Sequence, residues 1–201
     1  MVSSSLRPLR ADAARNRELL LAAAEEEFAE RGLSASIADI ARRAGIAKGT
    51  VFRHFASKEE LIASIVCGHL ATLADVARRL TDAGDPGAAL LEFLTVAADQ
   101  RRQHDLTFLQ SVSEGDSRVT EVRDELYAGI GALVDRAHAA GTIRSDVTAT
   151  DVFLLMCAPV HVVENLANPA PELWKRYLAI IFDGLRPEGA TPLPQPAPAR
   201  P

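Results

Sequence analysis

The 201-residue chain holds two cysteines and 12 glycines against 35 alanines, and it has few β-branched runs. Cys67 and Cys157 stand far apart in apolar helical patterns, which excludes a disulfide scaffold and a paired-cysteine metal site and leaves reduced, buried thiols. Scarce glycine and abundant alanine point away from strands and towards an all-α fold. Two further absences bear on location. The first residues contain no apolar signal core, and no run, Val152 to Val160 included, approaches the ~20 apolar residues of a membrane span. A cytoplasmic protein without membrane contact is expected. Excess positive charge is also lacking, because the net charge is −5, and taken alone that argues against a polyanionic partner.

What is present organises the chain. Six of the eleven prolines follow Arg186, so 187–201 reads as a disordered, proline-rich tail. Ser36 with Asp39, Ser57 with Glu60, and Thr148 with Asp151 have the capping-box spacing, in which hydroxyl and carboxylate satisfy the first orphan N–H groups of a helix. Asp85-Pro86 marks a fourth start, and Gly32, Gly45 and Gly141 mark turns. About nine helices are predicted, over 13–31, 37–44, 47–55, 58–81, 86–104, 106–112, 117–140, 149–168 and 171–185. Residues 1–12 read as a flexible arm, 13–65 as one domain and 66–186 as a second.

Residues 37–55 have the grammar of a helix-turn-helix, two short helices around a glycine turn. Leu20, Ala24 and Phe28 form an i, i+4, i+8 stripe that can close a three-helix core with Ile40, Ala44, Ile46 and Val51. Left outside are Lys48, Gly49, Thr50, Arg53 and His54. From Arg31 to Lys58 six Lys/Arg face one carboxylate, a local net charge of +5, and two of the chain's three lysines lie there. Such a helix fits the major groove of B-DNA.

The run RNRELLLAAAEEEFAERGLSASIADIARRAGIAKGTVFRHFASKEELIASIV, from Arg15 to Val66, resembles the DNA-binding domain of the TetR family of bacterial transcriptional regulators. The resemblance implies that Lys48, Gly49 and Thr50 open the recognition helix, and that His54, Lys58 and the N-cap Ser36 meet phosphates. Arg53, at a position more variable in the family, is the candidate for a bidentate contact to guanine. Two departures stand out. Phe52 occupies a place where the family commonly has tyrosine, which leaves packing or thymine-methyl contact, and the segment from Gly32 to Ile37 is one residue shorter than in many members.

Beyond Lys58 the family implies a helical ligand-binding and dimerisation domain whose last two long helices pair with those of a second copy. The stretch from Arg136 to Val152 resembles the seventh-to-eighth helix connection in one branch of the family. Apolar residues on more than one face of 149–168 and 171–185 agree with pairing. Phe93, Phe108, Leu109, Tyr127, Met156 and His161 are candidate pocket residues, being aromatic, Met or leucine side chains with one polar group, although core packing explains most such patterns.

An enzyme is the competing class. Its only support is pairs such as His104-Asp105, Asp135 with His138, and His161 with Glu164, with no phosphate loop, nucleophile elbow or metalloprotease helix beside them. The expected function is a ligand-responsive repressor that binds a pseudo-palindromic double-stranded operator as a homodimer, with an unknown small-molecule effector and no cofactor or metal. A DNA-binding protein that acts through a protein partner without an effector has the same sequence footprint.

Overall fold

The structure, a computed structural model, describes residues 6–103, 107–113, 115–164 and 166–199, the side chains of 6–11, 107, 108 and 110 lying outside that description. The described residues fold as α-helices with no strand among them. In chain order they are α1 (Leu6–Arg31), α2 (Ile37–Ala44), α3 (Lys48–His54), α4 (Lys58–Leu80), α5 (Pro86–Gln103), α6 (Thr107–Ser113), α7 (Ser117–Ala139), α8 (Ala149–Leu155), α9 (Ala158–Glu164) and α10 (Leu173–Gly184). A single 3-10 turn, Gly32–Ser34, links α1 to α2.

Two differences from the sequence expectation have local causes. α1 begins at Leu6, ahead of the apolar stripe that locates it in the sequence, within the stretch read there as an arm. The apolar stretch expected as one helix over 149–168 is divided into α8 and α9, with Met156 and Cys157 between them. Pro159 explains the division: it has no N–H for the carbonyl of Leu155, and its ring crowds that oxygen.

The helix starts follow their capping chemistry. Ser36 and Asp39 form a reciprocal capping box on α2, as do Thr148 and Asp151 on α8. At α4 the hydroxyl of Ser57 accepts from the Glu60 N–H, while the Glu60 carboxylate reaches one residue further back, to the N–H of Ala56. Asp85 accepts from the Ala88 N–H at the start of α5. Gly45 closes α2 with φ of +66°, a conformation that side chains with a Cβ rarely adopt.

The chain divides into two compact units. The first holds the described residues up to Gly68 together with those of 107–119. Leu20, Ala24, Phe28, Ile40, Val51, Phe55, Leu61, Ile62 and Ile65 are buried in it, and each large apolar side chain so enclosed contributes about 1.5–3 kcal/mol. The second unit holds the described residues of 69–103 and 120–199. Its interior includes Leu90, Phe93 and Leu94 of α5, Leu126, Ile130 and Leu133 of α7, and Trp174, Leu178 and Phe182 of α10. Within this unit α7 lies close against α4, since a Cβ on Gly129 would come 2.8 Å from that of Ala77. Arg136 donates to the carbonyls of Thr81 and Ala83, in the turn that follows α4.

α4 is long and apolar enough to cross a membrane by length and composition alone. Its apolar residues serve the interior instead: Leu61, Ile62, Ile65, Val66, Leu70, Leu73, Ala77 and Leu80 are buried in the protein.

The tail after Arg186 is tied at two points. Arg144 donates to the carbonyl of Thr191, and Asp146 accepts from the N–H of Leu193 at 3.4 Å. Leu193 also lines a cavity of about 300 Å³ with Val147, Leu154, Leu155 and Leu185.

Candidate nucleic-acid interface

α3 is short because its ends are set by chemistry on either side. Ala47 offers no side-chain cap, and Phe55 turns into extended backbone and buries its ring. Val51 is the buried residue of the helix and fixes which side faces the core. The opposite side carries Lys48, Gly49, Phe52 and Arg53, all exposed, with Thr50 and His54 half-buried at its edges. Phe52 is 47% exposed, a large aromatic surface presented beside cations.

Arg53 is held by a neighbour on its own helix. Its Nη2 donates to the hydroxyl of Thr50 at 2.8 Å, one turn earlier on the same helix. Ser36 sits at the N-cap of α2, where its hydroxyl both accepts from Asp39 N–H and donates to Asp39 Oδ2 at 2.6 Å. That bond, and then the one from Arg42, draws the Asp39 carboxyl from the usual 3.8 down to about 2.

Lys58 has a role that its sequence position does not announce. Its ammonium donates to the carbonyl of Leu33 at 2.5 Å and lies 5.5 Å from the ring of Phe28, tying the start of α4 to the 3-10 turn.

The local charge of +5 counted along 31–58 does not describe a surface. Arg31 and Arg42 pair with Asp39, and Arg31 also with Glu27. Arg43 donates to Glu26, Glu27 and Glu30 of α1, and the Glu30 bond does most to strengthen its hold on its proton. Those three carboxylates precede the counted window, so the tally omitted them. Lys48, Arg53 and His54 are the basic groups that belong to α3 itself. Sequence reasoning also passed over Glu27, although its spacing carried a signal. It falls three residues after Ala24 on the buried face of α1, where a carboxylate demands a partner. Arg17, likewise unflagged, places its guanidinium 5.2 Å from the ring centroid of Phe55.

The described pocket residues named from sequence fall in both units. Leu109 is buried in the first unit, whereas Phe93, Tyr127 and Met156 are buried in the second. Tyr127 stacks on Phe153 with ring centroids 4.4 Å apart. His161 is 71% exposed at its side chain and bonds Glu164 at 2.9 Å, so it points away from any interior. The side chain of Phe108 and the pair His104-Asp105 lie outside the described residues. Two cavities of the second unit have other linings. One is the groove at Leu193, and the other, about 390 Å³, lies between Gly87, Leu91, Thr142, Phe182 and Arg186.

Known proteins resemble the chain over most of its length. Residues 20–65 match the family described as bacterial regulatory proteins, tetR family, and residues 85–187 match the C-terminal domain of SbtR-like transcriptional regulators. The chain is 31% identical over 188 residues to the transcriptional repressor KstR2 of Rhodococcus jostii, covering 84% of this chain and 90% of that protein. It is 28% identical over 170 residues to the repressor BepR of Brucella suis, covering 77% and 81%. Among solved structures, a TetR regulatory protein from Mycobacterium vanbaalenii superposes with a TM-score of 0.58 at 32% identity, over 89% of this chain and 99% of that one. The fatty acid degradation regulator FadR of Bacillus halodurans shares the fold at 19% identity, with a TM-score of 0.67 over 85% and 96% of the two chains.

Proposed function

The chain belongs to the TetR family of bacterial regulatory proteins, and on that premise we propose that it is a cytoplasmic repressor that binds a pseudo-palindromic operator as a homodimer and releases it when a small molecule binds. The observation that carries the reading is the outer face of α3. A buried Val51 locks the helix while Lys48, Phe52 and Arg53 are turned to solvent, the combination of cation, apolar ring and oriented fork that reads base edges in a major groove. Arg53 takes a guanine, Phe52 a thymine methyl, and Lys48, Gly49 and Thr50 the first bases and adjacent phosphates. Ser36, His54 and the remaining ammonium protons of Lys58 serve the backbone of the duplex.

Dimerisation is assigned to the last helices. Leu154 of α8, Val162 of α9 and Ile180 of α10 are large apolar side chains left exposed within one chain, as an unpaired interface would be. The effector is assigned to the interior of the second unit, where Phe93, Tyr127 and Met156 offer apolar contact. The repressors KstR2 and BepR among its relatives support the sense of regulation.

The test is selection of duplexes from a random library by the purified protein, followed by genomic footprinting and a screen for small molecules that release the selected site. A recovered inverted repeat is the expected result, and enrichment of no sequence would refute the reading.

A further inference from the structure

A charged cluster ties α1 to α2 in the first unit, away from α3, with Glu27 as its buried member. Glu27 is 3% exposed, and with Ser113 it makes up the buried polar side chains among the described residues. Its carboxylate faces Arg43 Nε at 2.9 Å and Arg31 Nε at 3.4 Å. Arg43 comes from α2, and its other two nitrogens reach Glu26 at 3.1 Å and Glu30 at 2.6 Å. All three nitrogens of one guanidinium thus rest on three carboxylates of one helix. Arg31 makes a second tie, to Asp39 of α2 at 3.4 Å.

Net stability is a poor explanation for this arrangement. Burying the Glu27 carboxylate offsets much of what its attraction to the half-buried Arg43 returns, and an apolar pair of equal volume often serves as well. What the fork supplies is direction. Apolar side chains between two helices tolerate small rotations and slides, whereas a planar group held by three acceptors does not. Any tilt of α2 passes to α3, because the turn between them is closed by the Ile46 N–H on the Ala41 carbonyl at 2.9 Å and by the Gly45 N–H on the Arg42 carbonyl.

We propose that Glu27 and Arg43 are positioning residues for base reading: their fork fixes α2 on α1 in the one pose from which α3 brings Lys48, Thr50 and Arg53 to the bases. The inference rests on the DNA-reading function above. It concerns discrimination between sequences, not general attraction to DNA, since the pair carries no net charge and neither residue belongs to α3.

The experiment replaces the pair by apolar residues of similar volume, Glu27→Leu with Arg43→Met, and separately makes Arg43→Lys, which keeps the charge but not the fork. Binding is measured to the duplex selected by the wild-type protein and to a scrambled duplex of the same composition, with Tm recorded alongside. For the double variant we expect a Tm at or above wild type, scrambled-duplex affinity and salt slope within about twofold, and selected-duplex affinity reduced roughly tenfold or more. Arg43→Lys is expected to lose selectivity in the same direction, and it decides the matter if the double variant fails to fold. A folded variant of either kind with unchanged discrimination overturns the proposal. Failure of the wild-type protein to prefer any duplex would instead overturn the reading on which it rests.

Discussion

Arg53 and Lys58 show how far a residue's role can be read from its place in a motif. Arg53 is exposed on α3 and donates to Thr50, a position that leaves its guanidinium open to the base contact proposed for it. Arg53→Ala is expected to weaken operator binding by about 1–3 kcal/mol and to relax preference at one base pair of each half-site, measured by titration against single-substituted duplexes. Lys58 is different. The motif marks it as a phosphate ligand, yet its ammonium is also committed to a carbonyl 25 residues earlier. Helical periodicity reports which face a side chain occupies but not which distant oxygen it meets. Lys58→Ala is therefore expected to lower Tm as well as to reduce the salt slope of binding by about one. A lowered Tm with an unaltered slope would make the residue a structural tie alone. The same blindness produced the +5 count, since the residues that neutralise Arg43 lie 13 to 17 positions away.

Helix boundaries were the most legible part of the sequence, for they depend on chemistry within four residues. The Ser36–Asp39 and Thr148–Asp151 boxes stand as their spacing implied. The break between α8 and α9 has its signal in Pro159, inside an otherwise continuous apolar pattern. Capping also makes α2 sensitive to acid. A carboxyl lowered from 3.8 to about 2 on folding binds fewer protons in the native state than in the unfolded one. Its stabilisation is complete above the unfolded value and is lost as pH falls through the interval down to about 2. Asp39→Asn is expected to be less stable than wild type at neutral pH, with the gap closing across that interval, as urea denaturation at a series of pH values would reveal. A gap that stays constant to the lowest pH would assign the loss to something other than ionisation.

At the scale of the whole chain, the charge is +1 up to residue 60 and −6 beyond it. The division is read directly from the sequence, and the structure shows which charges expose it. Arg31, Arg42 and Arg43 of the first unit are matched by carboxylates, so the excess of acid beyond residue 60 contributes more to the contrast than a basic surface before it. The apolar character of the final helices was equally legible, while the particular side chains left uncovered were not, because burial depends on packing partners. Ile180, 55% exposed, is the most open of them. Ile180→Glu is expected to shift the protein from dimer to monomer in sedimentation at micromolar concentration and to weaken operator binding with it. A dimer that survives the substitution would move the interface elsewhere.

The tied tail has a consequence in chain entropy. Pro187, Pro192, Pro194, Pro196 and Pro198 hold their own φ angles near one value, so the segment has few conformations to lose when it is held in place. Each of the two bonds, from Arg144 and to Asp146, therefore costs less chain entropy to form than it would in a flexible sequence of equal length. The composition that in sequence reads as disorder is, on this surface, what makes order inexpensive.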